Sequence, residues 1–389
     1  MKIAIVSGDD VSVDDPRRLC AALAGQGHEV TAYPRQRAPR RPAETGTGAC
    51  GTAPIPVGPR TATSTADMLP YVGQWAAALE RAWSSSRPDV VHAYGWLGGL
   101  AAQLAARRQR VPTVQTFLGL ATTSPATTHE SERRRIEPLL GRNAAWVTGE
   151  SSADVDALAR LRRSRGRASA LTSGVDVERF SPVGPAVART APHRILCLAP
   201  NPLWHNGFDI AIKALPRVAG AELVLAETDP TDPSNDLARA RLVSLAAELR
   251  VADRVRFAGA VPDGELPMLM RSADVVACAP RQPPRATTVL QAMASGVVVV
   301  AAGVGVVKDV VVDGVTGLIV SPESPSHMAA AMKTLVAQRF QCESMGAAGR
   351  SHALSRFTWD RIALDAVNIY RRLESQGAVS PHSRPSVTP

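Results

Sequence analysis

The sequence predicts an α/β protein of two doubly wound, parallel-sheet domains, and three observations carry that prediction. The chain opens as strand, helix, strand: Lys2-Ile-Ala-Ile-Val6 is an apolar run, Pro16 to Gly25 an amphipathic helix, and Gly27-His28-Glu29-Val30-Thr31 a second strand. Residues 279–320 repeat the logic, with a short helix pattern at Val289 to Ala294, an apolar run at Val297 to Ala301 and turn glycines beyond it, as a buried parallel strand reads. A chain of 389 residues with 45% hydrophobic content can bury two cores, and two domains of about 180 residues are of ordinary size.

Composition narrows the function classes. No run of about 18 apolar residues occurs, and the N-terminus enters a strand at once, so neither a membrane span nor a secretory leader is expected and the cytoplasm is the expected location. Cys20, Cys50, Cys197, Cys278 and Cys342 have no metal-ligand or C-x-x-C spacing, which predicts reduced thiols, no disulfide and no zinc. The net charge is +9, yet of the 44 basic residues only Lys2, Lys213, Lys308 and Lys333 are lysines, and clusters such as Arg133 to Arg135 lack interleaved aromatics. That pattern reads as a solvated arginine face and not as a nucleic-acid surface, though it would draw in small anionic substrates.

The elements follow in order. Gly8 ends the first strand, and the loop Ser7 to Asp15 leaves two readings open. Its glycine lets backbone amides approach a phosphate, whereas Asp9, Asp10, Asp14 and Asp15 favour a solvated acidic loop. Pro34 to about Thr65 reads as a long surface loop without legible chemistry, and Met68 to Ser84 as a helix. Pro88-Asp-Val-Val-His92-Ala-Tyr94-Gly-Trp96 leads from a strand into a helix, Thr113 to Phe117 is a strand, Glu132 to Leu140 a helix and Ala144 to Thr148 a strand. Pro182 to Pro192 reads as a linker. The second domain begins with the strand Arg194 to Leu198; Ala221 to Ala226 is a strand, Ser234 to Leu249 a helix, and Val255 to Val261 a strand. Ser375 to Pro389 has no core face and is expected to be disordered.

Several motifs point further. The string Leu290, Ala292, Met293, Ala294, Gly296, Val299, Val300, Ala301, then Gly305, Asp309, Asp313, Gly314, Gly317 and Leu318 resembles the donor-sugar segment of retaining family-four glycosyltransferases. Ser173-Gly174-Val175-Asp176 with Phe180 is similar to that family's N-G-V-D-x-x-x-F signature, and residues 88–99 to its P-D-V-V-H-A-H-F-W-x-S-G. The resemblance runs from Met1 to about Glu374, nearest the actinobacterial branch that includes the enzyme opening mycothiol synthesis and the sucrose-phosphate synthases. It implies the GT-B fold: two Rossmann-like domains facing a central cleft. The expected division is 1–180 on the acceptor side, a linker at 181–193, a nucleotide-sugar domain at 194–357, a helix crossing back at 358–374, and a tail at 375–389.

The resemblance also assigns roles and exposes departures. The family writes E-P-F-G, three residues, then L-E-A-M-A; the two glutamates, which orient the donor sugar and hold the ribose, correspond to Pro283 and Gln291. Gln291 still offers an acceptor and a donor. In G-R-L-x-x-x-K-G the arginine and lysine grip the diphosphate and stabilise the leaving group; those positions are Asn201 and Asn206. His205, Arg281 and Arg285 are the substitute cations the sequence offers, with Arg285 foremost because it stands beside the phosphates. Ala286, Thr287 and Thr288 at the start of the following helix, Val261 at the base-holding strand end and Gly8 complete the expected donor site. Tyr94 stands at the family's second histidine, and Leu118 replaces another. Tyr94 is read as a hydrogen-bond donor in the cleft or as a packed tyrosine, and His92 as an acceptor contact or a strand-end histidine satisfied by backbone. Trp96 and Phe117 are expected on the acceptor side.

The resulting expectation is a retaining, metal-independent glycosyltransferase without a cofactor. It would move a sugar from a UDP- or GDP-type donor to an aminosugar, cyclitol or low-molecular-weight thiol, in an actinobacterial antibiotic or secondary-metabolite pathway. No nucleic-acid or membrane partner is expected, and a homodimer is left open. The alternative is a catalytically inactive pseudo-glycosyltransferase serving as a binding or partner subunit.

Overall fold

A computed structural model of the chain describes residues 1–8, 11, 14–36, 50–59, 65–121 and 130–377. The chain divides into two compact units, one holding Met1–Gly149, Asp154–Leu171 and the chain from Ile362 onward, the other Glu150–Ala153 and Thr172–Arg361.

In the first unit the strands are β1 (Lys2–Ser7), β2 (Glu29–Gln36), the two-residue β3 (Gly51–Thr52) and β4 (Ile55–Pro56), β5 (Val90–Tyr94), β6 (Thr113–Phe117), β7 (Trp146–Gly149) and β8 (Ala168–Ala170). Among the described residues they form a parallel sheet in the order β3-β2-β1-β5-β6-β7-β8, with β4 also on β2. Helices α1 (Asp14–Gly25), α2 (Val72–Ser84), α3 (Trp96–Gln109), α4 (Glu130–Asn143) and α5 (Ser152–Arg162) alternate with them. Covered on both faces, β5 and β6 are buried at every residue, and the polar side chains they carry are satisfied internally: Gln115 donates to the Gly95 carbonyl (2.7 Å), and His92 and Thr116 meet each other at 2.6 Å.

The second unit repeats the design with β9 (His193–Ala199), β10 (Ala221–Glu227), β11 (Val255–Ala260), β12 (Val275–Cys278), β13 (Val298–Ala302) and β14 (Gly317–Val320), ordered β11-β10-β9-β12-β13-β14. Its helices are α6 (Phe208–Ala214), α7 (Asp236–Glu248), α8 (Leu266–Arg271), α9 (Thr287–Ala294), α10 (Val307–Val310), α11 (Pro325–Ala337) and α12 (Arg339–Arg356). Helix α13 (Trp359–Gly377) starts in the second unit and buries Ile362, Ala366, Val367, Tyr370 and Leu373, an i, i+4, i+8 stripe, in the first. In each sheet the strand order reverses beside the first strand, at β1/β5 and at β9/β12. Ligands of such sheets bind where the loops at the carboxyl ends of those two strands diverge.

The structure corrects several expectations. Cys20 on α1 and Cys50, just before β3, are bonded to one another as a disulfide although their spacing carried no motif. Helix α1 begins at Asp14, two residues before Pro16, because proline is tolerated in a first turn. β2 runs on to Gln36, and the stretch expected as featureless loop holds β3, β4 and a buried Arg35 that donates to the carbonyls of Val57 (3.0 Å) and Pro59 (2.7 Å). The helix expected from Met68 starts as a 3₁₀ turn, Thr65–Tyr71, containing Pro70, and becomes α-helical only at Val72. Asp9, Asp10 and most of the expected tail lie outside the described residues. Within them, no helix is long and apolar enough to cross a membrane.

The disulfide spans 30 residues, a closure that stabilises by about 2 to 4 kcal/mol through the unfolded chain. Denatured but unreduced protein should therefore titrate as three thiols, Cys197, Cys278 and Cys342, and both dithiothreitol and Cys50→Ser should lower the melting temperature. Five reactive thiols would show that the bond does not form.

Candidate functional site

Most of the expected donor residues lie on two loops of the second unit, residues 200–207 after β9 and 279–286 after β12, and on the first half of α9; Gly8 and Val261 lie elsewhere. Gly207 is where the loops meet. It has φ +77, and a Cβ there would lie 1.8 Å from the Ala279 carbonyl oxygen, so only glycine fits. The Arg281 amide donates to the His205 carbonyl (2.8 Å), a second backbone tie between the loops.

Each polar side chain expected to grip a phosphate has a place in this structure. Asn206 Nδ2 donates to the Asn201 backbone oxygen (2.9 Å) and to its Oδ1 (2.8 Å), while Oδ1 also receives the Leu203 amide (3.2 Å). The two amides thus brace the turn that carries them. Arg281 forms a two-pronged pair with Asp209, both contacts at 2.8 Å, and lies over the exposed Trp204 ring at 5.5 Å. Burial pushes the Asp209 carboxyl up, but hydrogen bonds from Arg281 and Lys213 outweigh it and hold the group below its ordinary range; the same bond raises Arg281. Arg285 donates from Nε to Glu150 (2.6 Å) and from Nη2 to Ser173 Oγ (2.6 Å), and Ser173 in turn donates to Glu150 (2.6 Å), closing a three-membered ring around a nearly buried carboxylate. The segment carrying Glu150 is pinned by the Ser152 amide on Asp309 (2.9 Å).

Other groups on these loops stay available. The His205 imidazole, Thr287, Thr288 and Gln291 are half-buried and have no side-chain hydrogen-bond partner among the described residues. Burial lowers the His205 pKa below its ordinary 6.5. Thr287 and Gln291 share one face of α9, four residues apart, with Thr288 beside them, while Val289, Leu290, Ala292 and Met293 bury the other. Ala286 is buried as the residue preceding the helix. Val261 follows β11 with its amide on the Glu227 carbonyl (2.9 Å), three strands from the β12 loop, and Glu227 is itself held by both arms of Arg239.

In the first unit, Gly8 lies at the β1/β5 switch point. A Cβ on Gly98, in the first turn of α3, would come 3.0 Å from the Gly8 amide nitrogen, so helix and strand end approach closely there. Tyr94 closes β5 with its ring stacked on His92 at 4.8 Å. The acceptor role expected for His92 has no exposed atom to use. His92 is fully buried, its Nδ1 meeting the Tyr370 hydroxyl (2.6 Å) and its Nε2 Thr116 Oγ1 (2.6 Å), which continues to Thr148 (2.6 Å). Burial lowers its pKa to about 3, so it is neutral and satisfied by side chains, not by the backbone. Trp96 (4% exposed) and Phe117 (1%) are likewise core residues of this unit, which corrects the expectation that they line an acceptor surface. Sequence reasoning missed Asp209, Glu150, Ser173 and Trp204; their partners lie as far as 135 residues away in sequence, and no spacing announces them.

Comparison with known proteins gives a consistent result. Residues 192–352 match the family described as Glycosyl transferases group 1, and residues 15–174 the one described as Glycosyl transferase 4-like domain. The chain is 30% identical over 360 residues to a D-inositol 3-phosphate glycosyltransferase of Stackebrandtia nassauensis, covering 85% of this chain and 80% of that protein. A namesake from Actinosynnema mirum is 30% identical over 371 residues, with 88% of each covered. Among solved structures, sucrose-phosphate synthase from Thermosynechococcus elongatus superposes with a TM-score of 0.81 at 23% identity (97% of this chain, 100% of that one), and Anabaena HepE in complex with UDP and glucose with 0.72 at 18% (98% and 100%). The fold is accordingly that of the two-domain GT-B glycosyltransferases.

Removing Arg285 would leave the Glu150 carboxylate buried without its cation, which typically costs about 1 to 3 kcal/mol. Arg285→Ala should lower stability to chemical denaturation by that amount, and adding Glu150→Gln should recover most of it. An unchanged midpoint would mean the pair does not form in solution.

Proposed function

Because the chain belongs to the group 1 glycosyltransferases, we propose that it moves a glycosyl group from a nucleoside-diphosphate sugar to a small hydroxyl-bearing acceptor, with retention at the anomeric carbon. The observation that carries the reading is the start of α9 at the switch point of the second unit, where Thr287, Thr288 and, one turn on, Gln291 have no side-chain hydrogen-bond partner among the described residues and no side chain caps the helix. A helix N-terminus presents positive potential to the charge that develops on a diphosphate as the anomeric C–O bond breaks. The names of the relatives support a cyclitol-like acceptor, and the UDP found with HepE supports a uridine donor. Aminosugars and low-molecular-weight thiols are the other acceptor classes this reading admits.

The site departs from the family pattern in a consistent direction. Where the motifs carry two carboxylates and two cations, this chain has Pro283, Gln291, Asn201 and Asn206. Gln291 retains the geometry for a ribose hydroxyl, accepting through Oε1 and donating through Nε2. Pro283 offers no side-chain acceptor, so the donor sugar is held by other groups, and the preferred sugar is expected to differ from glucose. No metal has a role in this reading, since amides and neutral side chains meet the diphosphate.

The test is turnover. The protein, incubated with UDP-glucose, UDP-N-acetylglucosamine or GDP-mannose and an inositol phosphate or aminosugar, should release nucleoside diphosphate faster with acceptor than without, undiminished by a chelator. Gln291→Ala removes a neutral hydrogen bond of about 0.5 to 1.5 kcal/mol and should weaken nucleotide binding by about two- to tenfold. Nucleotide binding without any release would favour the pseudo-glycosyltransferase reading.

A further inference from the structure

Resting on that donor reading, we propose that His205 supplies the cation on the donor phosphates, binding them as an imidazolium that forms when the nucleotide arrives. The cations of the two loops are otherwise committed. Arg281 is held by both oxygens of Asp209, with Glu323 at 3.6 Å, and Arg285 by Glu150 and Ser173. Asn201 and Asn206 hydrogen-bond one another. Among the described residues of the two loops, the titratable side chain without a hydrogen-bond partner is His205, half-buried at the strand-order reversal and two residues before Gly207, where the loops touch.

The surroundings favour a neutral imidazole until an anion binds. Trp204 packs edge-on to it at 6.3 Å, and Asn206 follows it on the same turn. From the β12 loop comes Arg281, its charge held by both oxygens of Asp209. From α6 come Asp209 and Lys213, paired with each other at 2.8 Å, and beyond Arg281 stands Glu323. Half-burial costs the protonated form most of all. A diphosphate reverses the balance: the imidazole takes one proton from the buffer, and its N–H donates a charge-assisted hydrogen bond to a phosphate oxygen. The free-state pKa lies below 6.5 and the bound-state pKa above it, so nucleotide affinity is greatest at low pH and falls as pH rises through the interval between the two.

Calorimetric titration of the full chain with UDP and with GDP, from about pH 6 to about pH 8.5 in buffers of different ionisation enthalpy, tests this. Wild type should lose affinity by up to about tenfold per pH unit above about pH 6.5 and show proton uptake as a buffer-dependent heat. His205→Gln keeps a neutral donor; it should retain only the nucleotide's own titration and bind throughout as wild type does at the highest pH. His205→Lys should restore tight binding at high pH. Thermal melts coinciding with wild type confirm that both variants fold. If His205→Gln matches wild type in affinity, slope and proton uptake, the proposal is overturned while the donor reading stands. If wild type binds neither nucleotide at any pH, the donor reading fails and takes the proposal with it.

Discussion

The two-pronged pair between Arg281 and Asp209 is the constraint on which the loops after β9 and β12 depend. It ties the β12 loop to the first turn of α6, and through the backbone bond from Arg281 to His205 it sets the loop after β9. A guanidinium fork on a carboxylate combines charge with fixed direction, so the loops are preorganised without a ligand. Its cost is that the arginine's charge is spent internally. Arg285 repeats the device with Glu150 and Ser173, and Asn201 with Asn206 repeats it without charge.

The result is a loop edge built from compensated ions, backbone amides and neutral side chains, where the family pattern has cations. A charge already paired in a half-buried setting gives little further attraction to an anion, because approaching a phosphate requires abandoning the carboxylate. Helix N-terminal amides carry no such cost and need no reorganisation as charge develops. On the proposed reading the neutral edge and the helix N-terminus belong together: with the arginines paired internally, the electrostatic task would fall to α9 and to His205.

The fold was legible in the sequence because parallel strands covered on both faces are mostly apolar, and Val298 to Ala302 advertises that directly. Boundaries drifted where proline decides them, at Pro16 and Pro70. The site was legible only in part. Thr287, Thr288 and Gln291 follow from helix period and motif position, and they lie at the start of α9 and one turn into it. What a charged residue does with its charge depends on partners remote in sequence, and no local pattern reveals that Arg285 meets Glu150 or that His92 meets Tyr370. Trp96 and Phe117 show the complementary failure: an aromatic beside a motif is packed in the core, where aromatics contribute most. The Cys20–Cys50 bond was invisible because cysteine spacing reports metal motifs and not the tertiary proximity of α1 to the start of β3.

The central claim is that nucleotide binding leaves the internal ion pairs intact. A crystal structure with a bound nucleoside diphosphate tests it most directly. The account predicts the diphosphate at the first turn of α9, within hydrogen-bond reach of His205 and Thr287 or Thr288, with Arg281 still on Asp209 and Arg285 still on Glu150. A complex in which either arginine has left its carboxylate to grip the phosphates would contradict it.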